Sequence, residues 1–346
     1  MRKFKFVAMI CALILCIGSM SACASDTRTP LYVLHFKTEY SEYYDWFNDY
    51  FEEKYPDVRV EYTAVPTSDF NSAFDSRVQS GMLDVFGAQP STMLQGIYAY
   101  MEPLEHMDVM DDYQEQYLKM GQMYNEELGE SEQLTMPLDY VGCVVFYNKD
   151  MFEEYGWEIP TTYSGFIALC EEICAASQDA VGQIGKTKIA QNAPLLMGGK
   201  DQWPLFSVLD AVEGQVVQGT YPGFYDRLKT ENYTNLAEYQ AIADLQFDSD
   251  VWVETYTKTQ EIGEYFQSTF SGLAYDSAPR YFAKGDGITK EYYPMMIDGS
   301  WSYGDIMNKD PDFEVGMFVL PATEDPEKND NFAYKGGVSF SVFKES

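Results

Sequence analysis

The chain is poor in histidine: only His35 and His106 occur among 346 residues. That excludes a histidine-rich zinc cluster. Basic residues are scarce as well. Twenty-three Lys and Arg stand against 55 Asp and Glu, giving a formal net charge of −32. A surface of that sign repels nucleic acid and anionic lipid, so neither is an expected partner. Cysteine builds no framework. Of the six, Cys11 and Cys16 lie in an N-terminal apolar run and Cys23 lies just beyond it, which leaves Cys143, Cys170 and Cys174. That is not the pattern of a disulfide-stapled mini-protein. Cys170 and Cys174, four apart on an expected helix, read as small buried hydrophobes. Catalytic signatures are missing too: there is no Gly-x-Ser-x-Gly elbow, no His-Glu-x-x-His and no phosphate loop. No catalytic residue, metal ligand or cofactor is assigned. Short internal repeats and low-complexity runs are absent.

What is present is a folded, aromatic-rich body behind a processed N-terminus. Hydrophobic residues make up 46% and aromatics 16%, which separates the chain from disordered acidic sequences. Arg2, Lys3 and Lys5 form a basic start, and Phe6 to Ile17 follow without a charge. The run is shorter than the roughly 20 residues of a membrane span. Gly18 to Cys23 are small or weakly polar, except Met20. Basic, then apolar, then small is the order of a secretory signal, here residues 1–22. Its loss removes three positive charges and takes the net charge to −35. Met20-Ser21-Ala22-Cys23 resembles a bacterial lipobox, which implies a diacylglyceride on the Cys23 thiol and cleavage before it. Two acyl chains suffice for stable anchoring. Residues 23–30 would then be a tether, roughly 25 Å when fully stretched, holding the body near the extracytoplasmic face of the cell membrane.

The body begins as alternating strand and helix. Leu31–Phe36 reads as a buried strand, and Ser41–Tyr55 as a helix with Tyr44, Phe47, Phe51 and Tyr55 at helical spacing. Val58–Val65 is a second strand, Ser68–Ser80 a second helix stopped by Gly81, and Leu83–Phe86 a third strand. This order argues for an α/β layered domain with a mainly parallel sheet, in which ligands sit beyond the carboxyl ends of the strands. Further on, Val144–Tyr147 is a strand and Asn148 opens a helix. Thr162 caps a helix through Cys174. Residues 180–260 look mainly helical, and Pro294–Ile297 and Val315–Leu320 are strands.

Several landmarks then fall in a single order: Val145-Phe-Tyr-Asn-Lys-Asp-Met-Phe152, Glu158-Ile-Pro-Thr-Thr-Tyr-Ser-Gly-Phe166, Gln202-Trp203-Pro204-Leu205, Met296-Ile-Asp-Gly-Ser-Trp301, Val319-Leu-Pro321 and Gly336-Gly-Val-Ser-Phe340. Taken together they resemble the extracellular solute-binding proteins of carbohydrate ABC importers, family 1, the maltose-binding type, over nearly all the mature chain. The segment from Pro160 to Phe166 departs from the family's Pro-Thr-Trp-Asp-Glu-Phe pattern at a helix cap, which touches packing. The resemblance implies a two-lobed periplasmic-binding-protein-like fold of type II, with ligand held between α/β lobes. The first lobe is expected at 31–138, the second at 139–333, and a crossover back at 334–346. The family continues with further helices, so the chain is expected to be incomplete at its C-terminus. The implied protein is a monomer that hands a sugar or oligosaccharide to the transmembrane subunits of an ABC permease.

A sugar offers apolar C–H faces and a belt of hydroxyls, which aromatic rings and a few polar groups match. Trp301, after Gly299 at a strand end, corresponds to the family's ligand-stacking tryptophan. Tyr303 is a second candidate, and Trp203 either stacks or packs the lobe. Trp46, Trp157 and Trp252 look structural. Lys37, Glu39, Gln89, Asp139 and Tyr140 lie at strand tips or at the interlobe passage, where each is either a ligand contact or solvated surface. Asp298 either meets ligand or caps its turn, and Gly336-Gly337 either admits ligand or permits the crossing.

Two rivals remain at this level. A secreted glycoside hydrolase would need two carboxylates about 5 to 10 Å apart. A receptor for a polyamine or another cationic solute would suit the acidic balance, with the cation over Trp301. The N-terminal reading has its own test. Replacing Cys23→Ser is expected to release the protein from membranes or leave the precursor uncleaved. An intact mass showing unmodified Cys23 in membrane-bound protein overturns it.

Overall fold

The computed structural model describes residues 26–37, 40–88, 97–118, 121–125, 128–220, 249–329 and 334–345. The signal, Cys23, Glu39 and Gln89 lie outside them. The chain divides into two compact units, one ending at Phe86 and one running from Gly87 to Glu345.

In the first unit, β1 (Thr29–His35) is followed by α1 (Ser41–Lys54), β2 (Val58–Ala64), α2 (Thr67–Ser80) and β3, which begins at Val85 and ends at Ala88. β1 pairs in parallel with β2 from Thr29↔Val58 to His35↔Ala64, and with β3 at Val33↔Val85. The expected parallel sheet is therefore present here. Phe70 and Phe74 of α2 are buried, and Phe74 meets Phe86 edge to face at 5.0 Å. Gly81 ends α2 at φ 66°, a left-handed position that a residue without Cβ adopts at little cost. The aromatic stripe of α1 behaves differently from its spacing. Tyr44 is buried and stacks on Tyr62 at 4.4 Å. Phe47 and Tyr55 are exposed, and Phe51 and Tyr55 lean on each other at 4.7 Å. Trp46, expected to be structural, is 59% exposed and stacks on Tyr50 instead.

The second unit opens with the hairpin β4 (Gln122–Asn125) and β5 (Glu130–Gln133), then β6 (Met136–Pro137) and the long β7 (Tyr140–Asn148). Asn148 and Thr162 cap α3 (Lys149–Tyr155) and α4 (Tyr163–Gln178), accepting from the N–H groups of Met151 and Gly165. The short strands β8 (Lys188–Ile189) and β9 (Leu195–Leu196) precede α5 (Trp203–Thr220). Next come α6 (Ser249–Gly263), α7 (Ala278–Lys284), β10 (Glu291–Tyr292), β11 (Met295–Gly299), α8 (Ser302–Met307) and β12 (Val315–Phe318). The strands β13 (Tyr334–Gly336) and β14 (Ser339–Val342) follow.

The central sheet runs β12-β7-β11-β9, with β13 also on β7. It is mixed, unlike the parallel pairing of β1 with β2 and β3. β9 and β11 are parallel, as helical crossovers require, whereas β7 runs antiparallel to β11, β12 and β13. β7 is reached directly from the Leu138–Asp139 passage, with no helix turning the chain around. Both of its faces are covered. Cys143, Val145 and Tyr147 point into one core with Phe166 and Ile173 of α4 and Val212 of α5. Val144 and Phe146 point into another, with Phe282 of α7 and Ile306 of α8. The period of two, buried on both sides, explains an uninterrupted apolar run. Each fully buried large side chain contributes about 1.5–3 kcal/mol. Cys170 is buried, as expected, whereas Cys174 is only partly buried; burial pushes the Cys170 thiol well up.

His35 at the end of β1 is fully buried among Phe36, Tyr44 and Tyr62. Its Nδ1 accepts the Lys37 N–H at 2.9 Å, so the ring is neutral with that nitrogen unprotonated. Burial, with the nearby Lys37 charge second, lowers its pKa from 6.5 to about 3. A depressed histidine contributes stability that is intact above pH 6.5 and is lost as pH falls toward 3. The expected slope is at most about 1.4 kcal/mol per pH unit. Melting temperatures measured from pH 7 to 4 should drop across this window, and the drop should shrink in His35→Gln.

Candidate functional site

β9 and β11 are adjacent parallel strands, and the chain leaving each carboxyl end delivers a tryptophan. β11 ends at Gly299, the chain turns through Ser300, and Trp301 precedes α8. The turn is fixed by Asp298, which is buried. Its carboxylate accepts from the Gly299 N–H at 2.8 Å and the Ser302 hydroxyl at 2.7 Å. Of the two roles open to Asp298, turn capping is therefore the one its geometry fills. The Ser300 N–H donates to the Gly142 carbonyl at 2.8 Å and ties the turn to β7. The indole of Trp301 lies over Gly299, where a Cβ would sit 2.0 Å from ring carbons. Only glycine leaves room for the ring there.

From β9 the chain passes through Gly198, Gly199, Lys200 and Asp201 to Trp203, the first residue of α5. Gln202 takes a positive φ of 64° at the turn. Trp203 is 37% exposed and Trp301 half-buried, with ring centroids 5.5 Å apart and planes inclined at 44°. Tyr275 meets Trp203 edge to face at 5.0 Å and 66°. Nothing in the sequence around Tyr275 announces it. It opens a single 3-10 turn, Tyr275–Ser277, just before α7, and only tertiary folding brings it to Trp203. The one sequence hint was the Gly198-Gly199 pair, which marks a close backbone approach.

The other sequence candidates are distributed elsewhere. Tyr303 is exposed on the first turn of α8, within electrostatic reach of Lys149. Lys149 pairs with Glu314, whose carboxylate raises the Lys149 pKa. Asp139 ties the segment entering β7 to the segment between β13 and β14. Its carboxylate accepts the Val338 N–H at 2.6 Å and its carbonyl accepts the Gly337 N–H at 3.1 Å. A Cβ on Gly337 would lie 2.1 Å from that carboxylate, so glycine is what leaves room for the Asp139 side chain there. Tyr140 opens β7 opposite Gly336, with its ring 4.1 Å from Tyr117. Lys37 belongs to the first unit, where its ammonium lies 5.8 Å from the Tyr40 ring. Trp157 packs on the core against Tyr155 and Phe152, in keeping with a structural role, whereas Trp252 is half-buried beside the exposed Tyr256.

A groove of about 790 Å³ runs between α5 and α6. Leu205, Phe206, Val208, Leu209, Phe266 and Phe270 make its lining largely aliphatic and phenyl. It follows the helices, whereas the tryptophan pair sits at the strand ends, where α/β sheets hold ligands. Flat indole faces beside backbone and carboxylate polar groups suit a polyhydroxylated ring better than that groove does. Among the described residues no group of three His, Cys, Asp or Glu side chains is placed to hold a metal.

A family model described as bacterial extracellular solute-binding protein matches residues 47–346, and the chain belongs to that family. The Multiple sugar-binding protein of Streptococcus mutans serotype c is 23% identical over 285 residues, covering 78% of this chain. The chain spans 57% of that relative's length. A structure of RafE in complex with raffinose superposes with a TM-score of 0.64 at 21% identity, covering 92% of this chain and 74% of that one. The GacH receptor of Streptomyces glaucescens, solved unliganded and with acarbose, gives 0.62 at 18% identity, covering 92% and 72%. These likenesses establish the expected fold, the two-lobed mixed α/β architecture of solute-binding proteins.

The clip at Asp139 is open to test. Replacing Asp139→Ala removes the acceptor from the Val338 N–H, and should cost about 1–3 kcal/mol in chemical denaturation. An unchanged denaturation midpoint would show that the passages hold without it.

Proposed function

We propose that this chain is the binding component of an ABC importer, capturing a sugar or oligosaccharide and delivering it to the membrane permease. It acts by binding and not by catalysis, as a monomer anchored through lipid on Cys23, with lobes at 31–138 and 139–333 and the return passage at 334–346. The observation that carries the reading is the pair Trp203 and Trp301 at the carboxyl ends of β9 and β11. Paired indoles beside polar turns match the amphipathic faces of sugars. Membership of the extracellular solute-binding family supports the reading. So does the sugar named for the Streptococcus mutans relative and for the raffinose and acarbose complexes.

Calorimetry of the mature protein against a panel of saccharides and polyamines tests the proposal. Stoichiometric saccharide binding without turnover of labelled oligosaccharide is expected. Turnover would replace it with the hydrolase reading, and polyamine binding alone with the cation-receptor reading. Trp301→Ala should weaken saccharide binding by on the order of tenfold to several hundredfold, because stacking adds to the lost buried area. Its melting temperature without ligand should change little. Trp157→Ala is the contrast, expected to cost about 3 kcal/mol of stability and leave the affinity of the folded fraction unchanged. The opposite pattern would make Trp301 a core residue.

A further inference from the structure

The segment leading to Trp203 and the segment leading to Tyr275 are fastened together along their length. Gln267 is buried, and its side-chain amide engages both backbone groups of Met197. It accepts from the Met197 N–H at 2.8 Å and donates to the Met197 carbonyl at 2.7 Å. Next, the Gly199 N–H donates to the Phe270 carbonyl at 2.9 Å, and the Lys200 N–H to the Leu273 carbonyl at 3.0 Å. Finally the Asp201 carboxylate accepts the Tyr275 N–H at 3.1 Å. Gly198 lies so close under this second segment that a Cβ would be 2.6 Å from the Tyr275 Cα. These contacts set the backbone of Tyr275 beside Trp203 before any ligand arrives, and a pre-set partner loses less entropy on binding.

The three rings do not share a plane. Trp203 is inclined at 44° to Trp301 and at 66° to Tyr275. A pyranose has two roughly parallel faces, so one ring cannot lie flat on two surfaces inclined this way. Two consecutive sugar units can, provided their linkage turns one ring relative to the next. A flat ribbon with coplanar successive rings cannot follow the corner.

We propose that Tyr275 is a third sugar-contacting ring, and that its corner with Trp203 and Trp301 selects bent oligosaccharides over single sugars and flat ribbons. The proposal rests on the sugar-binding reading and sharpens it to a ligand shape. Gln267, Gly198 and Asp201 are positioning residues that act through Tyr275 and Trp203.

The test is calorimetric titration of the mature protein with methyl glucosides, maltotriose, raffinose and cellotriose, repeated on Tyr275→Phe and Tyr275→Leu. Phenylalanine keeps the flat face, and leucine keeps apolar bulk without it. The expected order places a bent trisaccharide above the flat cellotriose and the monosaccharides. Tyr275→Leu should weaken the best trisaccharide about tenfold, while Tyr275→Phe stays within about threefold. Monosaccharide affinity should move less than trisaccharide affinity in both variants. Equal or tighter binding of cellotriose overturns the shape selection. An unaltered trisaccharide affinity in Tyr275→Leu, with the melting temperature preserved, overturns the role of Tyr275 and leaves sugar binding standing. Should Tyr275→Leu fail to fold, Asp201→Ala, which removes the acceptor for the Tyr275 N–H, decides. If Asp201→Ala leaves the trisaccharide affinity and the ligand-induced shift of tryptophan fluorescence unchanged, the corner is not what binds. If no saccharide binds the unaltered protein, the sugar-binding reading itself fails and this inference falls with it.

Discussion

Strand β7 is the constraint around which the second unit is organised. From Val141 to Asn148 every residue is buried, so its backbone groups have no water to turn to and must be paired within the protein. β11 takes one edge, and β12 and β13 share the other. The alternation of Val145 and Tyr147 with Val144 and Phe146 divides its side chains between two cores. Once β7 is fixed, β11 is fixed in register, from Met295↔Tyr147 to Gly299↔Cys143. The carboxyl end of β11, where Trp301 emerges, has then been placed as well.

The site depends on this frame through short, satisfied polar links and not through extra apolar burial. Asp298, Gln267 and Gln215 are all buried, and each spends its polar atoms on backbone or hydroxyl partners. Gln215 of α5 does for the end of β12 what Gln267 does for the end of β9. It donates to the Leu320 carbonyl at 2.6 Å and accepts the Ala322 N–H at 2.7 Å. Strands this short run out of ladder partners at their ends, and a buried amide supplies the missing donor and acceptor. The outcome is a rigid floor for rings that themselves stay partly exposed. Partial exposure of large aromatic rings is costly for folding and useful for ligand capture.

Charge is handled separately from the site. Ion pairs such as Lys149–Glu314 and Lys284–Asp312 involve exposed or partly exposed groups, and pairs of that kind contribute little to stability. The acidic excess keeps the body dispersed and sets no part of the fold.

The amino-acid sequence by itself determined the local elements and the family. Alternation, helix caps at Asn148 and Thr162, and the stop at Gly81 depend on neighbours a few residues away, so they can be read from the chain. The ordered landmarks up to Gly336 carried the two-lobed fold, and Trp301 and Trp203 were marked by residue type beside strand-end glycine and proline. The antiparallel setting of β7 was not legible, because strand direction is decided by which distant strand pairs with it. The exposure of Trp46 was not legible either, because helical spacing shows that rings share a face without showing what covers that face. Tyr275 comes beside Trp203 through Gly198 and Asp201, more than 70 residues earlier in the chain. Local chemistry chose the elements, and close approach of remote backbone chose which rings meet, since no periodicity encodes a contact across that separation.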